Sequence, residues 1–184
     1  MRRPALGMAA ALIAASGLAL NAQKTTEVHP GKGGSPHVKT EYTVDGANIS
    51  ITYGRPSLKG RAVGKDVAEY GKPWRTGADE ATILTTDKAL KFGSISLAPG
   101  SYTLNTEPGE KEWQLIVGKL GAKGQSQWGI PYQKDLEIGR APMKVGKSAA
   151  PVEQLTISID DTGAGGTLRV EWGATSATIP FTVG

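Results

Sequence analysis

From Ile49 onward the chain alternates apolar and polar residues with a period of two, the spacing that puts every second side chain on one face of a β-strand. Ile49, Ile51 and Tyr53 share a face with Ser50 and Thr52 between them. Trp113, Leu115 and Val117 make a second such face, and Leu155, Ile157 and Ile159 a third. Leu168, Val170 and Trp172 alternate with Thr167, Arg169 and Glu171, and Ala177, Ile179 and Phe181 follow with Thr178, Pro180 and Thr182. Further strands are expected over 81–86, 89–97, 101–106 and 136–139.

Turn chemistry separates these runs. Ala98-Pro99-Gly100 and the stretch from Asp160 to Gly166 favour hairpins, and Gly173-Ala174 is expected to turn the chain into its last strand. Pro180 lacks a ladder donor and predicts an edge or a local irregularity. Any helix is expected to be short, with Gly64–Tyr70 as the candidate. Short antiparallel strands with one apolar face need a second layer, so the fold class is mostly β: a single-domain antiparallel β-sandwich or squat β-barrel with at most short helices.

Before these strands the pattern differs. Met1-Arg2-Arg3 precedes an almost uncharged Ala/Leu-rich run that ends at Leu20-Asn21-Ala22, the order of a secretory signal peptide. The run is near spanning length but diluted by Ala, Gly and Ser, and no basic cluster follows it, which favours a cleaved leader over an anchor. Residues 1–22 are therefore read as a signal peptide, 23–41 as a flexible N-terminal arm rich in Gly, Pro and Lys, and 42–184 as one β domain. The expected location is periplasmic or secreted, with no membrane span after cleavage.

Composition narrows the chemistry. Removing residues 1–22 leaves 162 of 184 residues, enough for one real core. Arg2 and Arg3 supply two of the formal +4 charges, and the remaining charge is scattered, so no nucleic-acid affinity is expected. The absence of cysteine removes disulfides, thiol nucleophiles and Cys-based metal sites. The only two histidines, His29 and His37, fall in the expected arm, so no metal site and no cofactor are expected.

Two segments stand out: Tyr53-Gly54-Arg55-Pro56-Ser57-Leu58-Lys59-Gly60-Arg61 and Trp74-Arg75-Thr76-Gly77-Ala78-Asp79-Glu80-Ala81-Thr82. They resemble the signature segments of a bacterial family catalogued as a domain of unknown function, number 2911. The run from Leu97 to Leu104, Trp113, Gln127-Trp128-Gly129 and the run from Leu168 to Gly173 fit its later pattern. The resemblance spans about Val44 to Val183 and implies a small exported protein, without implying a mechanism or partner. The chain departs from that pattern at Asp79, where Asn is common, and at Val67-Ala68-Glu69-Tyr70-Gly71, where Val-Pro-Tyr-Gly is usual.

The candidate site residues are Arg55, Arg61, Trp74, Arg75, Asp79 and Glu80, all in these two segments. A guanidinium is a planar five-donor fork suited to carboxylate or phosphate oxygens. One reading is a site for a small polar or anionic ligand centred on Arg75. The other is an internal Arg–carboxylate network that fastens the loops together. Trp113 and Trp172 are expected in the core, while Trp74 and Trp128 can be loop anchors or accessible platforms.

Acid–base chemistry would need a carboxylate pair across a cleft. Asp79 and Glu80 are adjacent and point apart in a strand, so Asp66, Glu69, Glu107 or Asp135 would have to complete a pair. No Gly-x-Ser-x-Gly elbow or phosphate-binding loop is present. The expected function is non-enzymatic binding of a small polar ligand or an envelope protein; the alternative is a small carboxylate-based hydrolase acting through the loops at 54–80.

Overall fold

The computed structural model describes residues 23–121 and 132–184. The strands are β1 Lys24–His29, β2 His37–Val44, β3 Ala47–Gly54, β4 Thr82–Thr86, β5 Leu90–Phe92, β6 Ile95–Leu97, β7 Gly100–Glu107, β8 Glu112–Lys119, β9 Glu137–Asp161 and β10 Gly166–Val183. One short 3-10 turn, Lys134–Leu136, precedes β9. All printed ladders are antiparallel, and the strands form one sheet in the order β1-β2-β3-β4-β7-β8-β9-β10-β5-β6.

That sheet is open, with β1 and β6 at its edges. The expectation of a sandwich or squat barrel therefore holds only as far as antiparallel β; among the described residues there are neither two separate sheets nor a closed ring. The second layer comes from the length of β9 and β10. Their near halves pair in the middle of the sheet, and their far halves, Leu155–Ile159 and Leu168–Trp172, lie over β2 and β3. Tyr42 and Tyr53 mark this closure, because both hydroxyls reach the backbone of Ile157, and Tyr53 Oη accepts the Ile157 N–H at 2.9 Å.

Every period-two face read from the sequence is buried in one core: Ile49, Ile51, Tyr53, Trp113, Leu115, Val117, Leu155, Ile157, Ile159, Leu168, Val170, Trp172, Ala177, Ile179 and Phe181. Several local expectations are corrected. Gly173-Ala174 is no turn: β10 runs through it, with register shifts on either side of Gly173 that bend the strand. Gly64–Tyr70 forms loop turns rather than a helix. The run 89–97 divides at Gly93-Ser94 into β5 and β6. Pro180 sits where β10 passes from its ladder with β9, ending at Thr178, to its ladder with β5, beginning at Thr182, so its missing N–H removes no ladder bond.

The arm is corrected as well. Residues 24–29 form β1, and β2 begins at His37, with His37, Val38 and Thr40 buried. The Gly/Pro-rich stretch is the connection of a β1–β2 hairpin, so the core begins before Tyr42. The leader at 1–22 and Trp128 lie outside the described residues. Among the described residues, no helix is long and apolar enough to cross a membrane.

Candidate functional site

The two signature segments meet beside the far half of β9. The first is fixed by Leu58 N–H to Glu153 O and Leu155 N–H to Pro56 O, at 2.9 and 3.0 Å. The second is fixed by a two-way bridge between Trp74 and Thr106 of β7, at 2.7 and 2.9 Å. Between them opens a cleft of about 440 Å³ whose walls include Arg61, Asp66, Glu69, Trp74, Arg75, Asp79 and Trp172. Trp74 stacks on buried Trp172 with centroids 5.5 Å apart and planes 9° from parallel. Trp172 is held in turn by its Nε1–H to Glu153 O at 3.2 Å. Trp74 is thus an anchor of the loop and at the same time part of the cleft wall.

Of the six residues read from the sequence, Arg61, Trp74, Arg75 and Asp79 come together here. Arg55 does not: it leaves the cleft to bond Leu155 O and Thr156 Oγ1, both at 3.0 Å, and so staples the loop to β9. Glu80 faces away toward the β1–β2 hairpin. The Arg–carboxylate network is replaced by a different arrangement. Arg61 donates to Leu58 O and Ser57 O at 2.9 and 2.7 Å, and Arg75 donates to Asp79 O at 2.5 Å. Among the described residues, neither Arg61, Arg75 nor Arg55 forms an ion pair with a carboxylate.

The acids of the cleft are engaged in loop structure. Asp66 Oδ2 accepts the Ala62 amide at 2.9 Å, Glu69 pairs with Lys72, and Asp79 Oδ2 accepts the Lys32 amide at 2.9 Å. The cleft loops are also conformationally special. Lys59, Ala68, Thr76 and Asp79 all have left-handed backbone angles, with φ between 47° and 62°. For a β-branched residue such as Thr76 this is costly, and it persists only where surroundings over-determine it. Thr76 is buried, its Oγ1 3.0 Å from that of Thr106, and its carbonyl accepts the Thr82 hydroxyl at 3.0 Å. At Asp79 the same conformation is less costly, because Asp and Asn tolerate it best among non-glycine residues. The departure from Asn at this position therefore keeps the loop geometry.

Sequence reasoning passed over one cluster. His29 and His37 are opposite each other across the β1–β2 ladder, with rings stacked at 4.8 Å and 6° from parallel. Glu80 Oε2 lies 3.3 Å from His29 Nε2 and 3.1 Å from His37 Nε2. Burial holds the His37 imidazole below its ordinary range against the upward pull of Glu80. The available signal was the turn-rich spacer Pro30–Pro36 between the two histidines, which reads as a hairpin connection that pairs them.

The two segments that build the cleft are those that carried the resemblance, and the family described as "Protein of unknown function (DUF2911)" matches residues 35–181. The chain belongs to the DUF2911 family. No curated protein and no solved structure matches it. The DUF2911 match takes in β2 to β10 up to Phe181, hence the cleft, His37 and Glu80, while β1 with His29 precedes it.

Proposed function

We propose that this DUF2911 protein is an exported binding domain that holds a small anionic ligand, a carboxylate or phosphate, in the cleft between its two signature loops. The observation that carries this reading is the pair of guanidinium groups, Arg61 and Arg75, anchored by carbonyls and not neutralised by any carboxylate among the described residues. A carbonyl anchor fixes the fork while leaving its charge for an incoming oxyanion. The stacked indoles and the left-handed loop residues hold the walls in place before a ligand arrives, which reduces the ordering cost of binding. The acids of the cleft are used in loop structure, so no observation favours the hydrolase alternative. Export follows from residues 1–22, read as a leader.

The test titrates the full chain with inorganic phosphate and with malonate, following tryptophan fluorescence from the Trp74–Trp172 stack. Saturable binding is expected. Arg75→Lys keeps the charge but loses the planar fork, so it should weaken binding nearly as much as Arg75→Ala. If both variants bind like the parent, or the parent binds neither anion, the cleft is not an anion site. If both lose thermal stability and binding together, Arg75 is a loop clamp.

A further inference from the structure

We propose that His29, His37 and Glu80 form a site for a divalent first-row transition cation of the zinc class, separate from the cleft. One donor atom from each of His29, His37 and Glu80 lies within 4.8 Å of the other two. Tetrahedral coordination with ligands at about 2.0–2.1 Å separates neighbouring ligand atoms by roughly 3.3 Å. The two nitrogen–oxygen spacings, 3.3 and 3.1 Å, already match that figure. The donors come from three places fixed by the fold: an edge strand, its ladder partner, and the second signature loop just before β4.

The burial gradient suits an ion entering from solvent. The His37 side chain is 3% exposed and forms the floor, whereas His29 at 36% and Glu80 at 23% leave the outer side open. His37 Nε2 faces the cluster as the ring's one polar engagement among the described residues, its Nδ1 being buried with no hydrogen-bond partner. Coordination at Nε2 places the ring proton on Nδ1 without an acceptor, a cost that metal binding has to outweigh.

The donor set selects the metal. Two imidazoles and one carboxylate suit zinc, copper and nickel, while magnesium and calcium prefer all-oxygen sites. Coordination also has a local consequence. His29 Nδ1 now accepts the Gly31 amide at 3.1 Å, which leaves the proton of a neutral ring on Nε2, facing Glu80. A metal at Nε2 shifts that proton to Nδ1, and Gly31 N–H loses its acceptor. Three protein ligands leave a fourth position for water or a ligand atom.

The full chain, purified without a histidine tag and stripped with a chelator, is titrated calorimetrically with zinc chloride, nickel chloride and magnesium chloride. One zinc or nickel ion per chain is expected, with no magnesium uptake. Zinc should raise the melting temperature and displace the Gly31 amide resonance. His29→Ala removes a half-exposed ligand from an edge strand and should fold, while zinc affinity falls by at least about 10-fold, the lower bound seen even for outer-shell changes. Glu80→Gln should do the same. Arg61→Lys, on the other signature loop and bonded among the described residues only to Leu58 O and Ser57 O, should leave zinc binding intact, which separates this site from the cleft. Absence of stoichiometric zinc binding by the parent, or parent-like binding by His29→Ala, overturns the proposal.

Discussion

Gly54→Ala tests the join between the two signature segments most directly. A Cβ at residue 54 would lie 2.3 Å from Ala78 O, 3.0 Å from Ala78 C and 3.3 Å from Ala78 N, where ordinary contact begins at 3.4 Å. The obstacle is backbone, so no side chain can rotate away. Gly77 lies on the other side of the same contact, 3.3 Å from Gly54 O by its own built Cβ. The neighbouring chain is also pinned, by the Trp74–Thr106 bridge and by the Thr82 hydroxyl on Thr76 O. Relief therefore requires a backbone shift of roughly 1 Å, at the upper end of overpacking costs, about 3 kcal/mol. At about 2–4 °C per kcal/mol for a chain of this size, the melting temperature should fall by about 6–12 °C. The shift would displace Asp79 and Glu80 together, so anion and zinc binding should both weaken. Gly146→Ala is the control, because its nearest neighbour is at 4.0 Å and no positive φ is involved. Differential scanning calorimetry on both variants decides the matter. A Gly54→Ala protein melting within 2 °C of the parent, on the order of 1 kcal/mol or less, would refute the close-approach argument.

Tyr53→Phe should destabilise by about 1–3 kcal/mol in urea unfolding, because it orphans the buried Ile157 N–H, whereas Tyr42→Phe removes only a donor to Ile157 O and should cost about 1 kcal/mol or less. Equal or reversed effects would show that the two hydroxyls do not tie β9 to β2 and β3 as described. Burial pushes the Glu137 carboxyl up, but bonds from Arg140 and Tyr132 outweigh it and leave it below its ordinary value. A depressed carboxyl stabilises the fold above its unfolded pKa of about 4.3, and that contribution is lost as pH falls through the lower folded value. Glu137→Gln should therefore flatten the acid limb of a melting-temperature profile below about pH 4.3, and a limb parallel to the parent's would count against it. Intact-mass measurement of protein from the cell envelope or medium should show residues 1–22 removed; a stable product retaining Met1 would contradict export.

The strand faces were legible because each buries alternate residues against one core, and that rule needs only local sequence. The length of β9 was not. Between Gly146 and Glu153 it is exposed or half-buried, held as a strand by pairing with β10 rather than by burial, so no apolar period marks it. The sheet's single, folded-over form likewise depends on where β10 changes partner, which no local pattern records. In the candidate site, Arg61, Trp74, Arg75 and Asp79 were readable from turn-forming residues spaced among donors. Arg55 and Glu80 were not separable from them, since direction out of a loop is set by distant partners: Arg55 turns to Leu155 and Thr156 of β9, and Glu80 to the β1–β2 hairpin. The histidines were misjudged because Gly and Pro were read as disorder, when in this chain they connect two strands.

The placement of the long hairpin sets the order in which the protein can acquire its fold. Leu155, Ile157, Ile159, Leu168, Val170, Trp172, Ala177, Ile179 and Phe181 all come from β9 and β10, and they cover β2, β3 and the short β5–β6 pair. A nascent chain emerging from its N-terminus has no cover for those earlier strands until roughly the last quarter, residues 137–184, has left the ribosome. The hairpin itself closes over a connection of only a few residues between Asp161 and Gly166, so it can zip early once present, while the ladder from β10 to β5 waits for a closure spanning some ninety residues. Folding is in this way deferred to the end of synthesis. On the export proposed from residues 1–22, that delay would keep the precursor unfolded for passage, with the cleft, which needs β9 and Trp172, assembling afterwards.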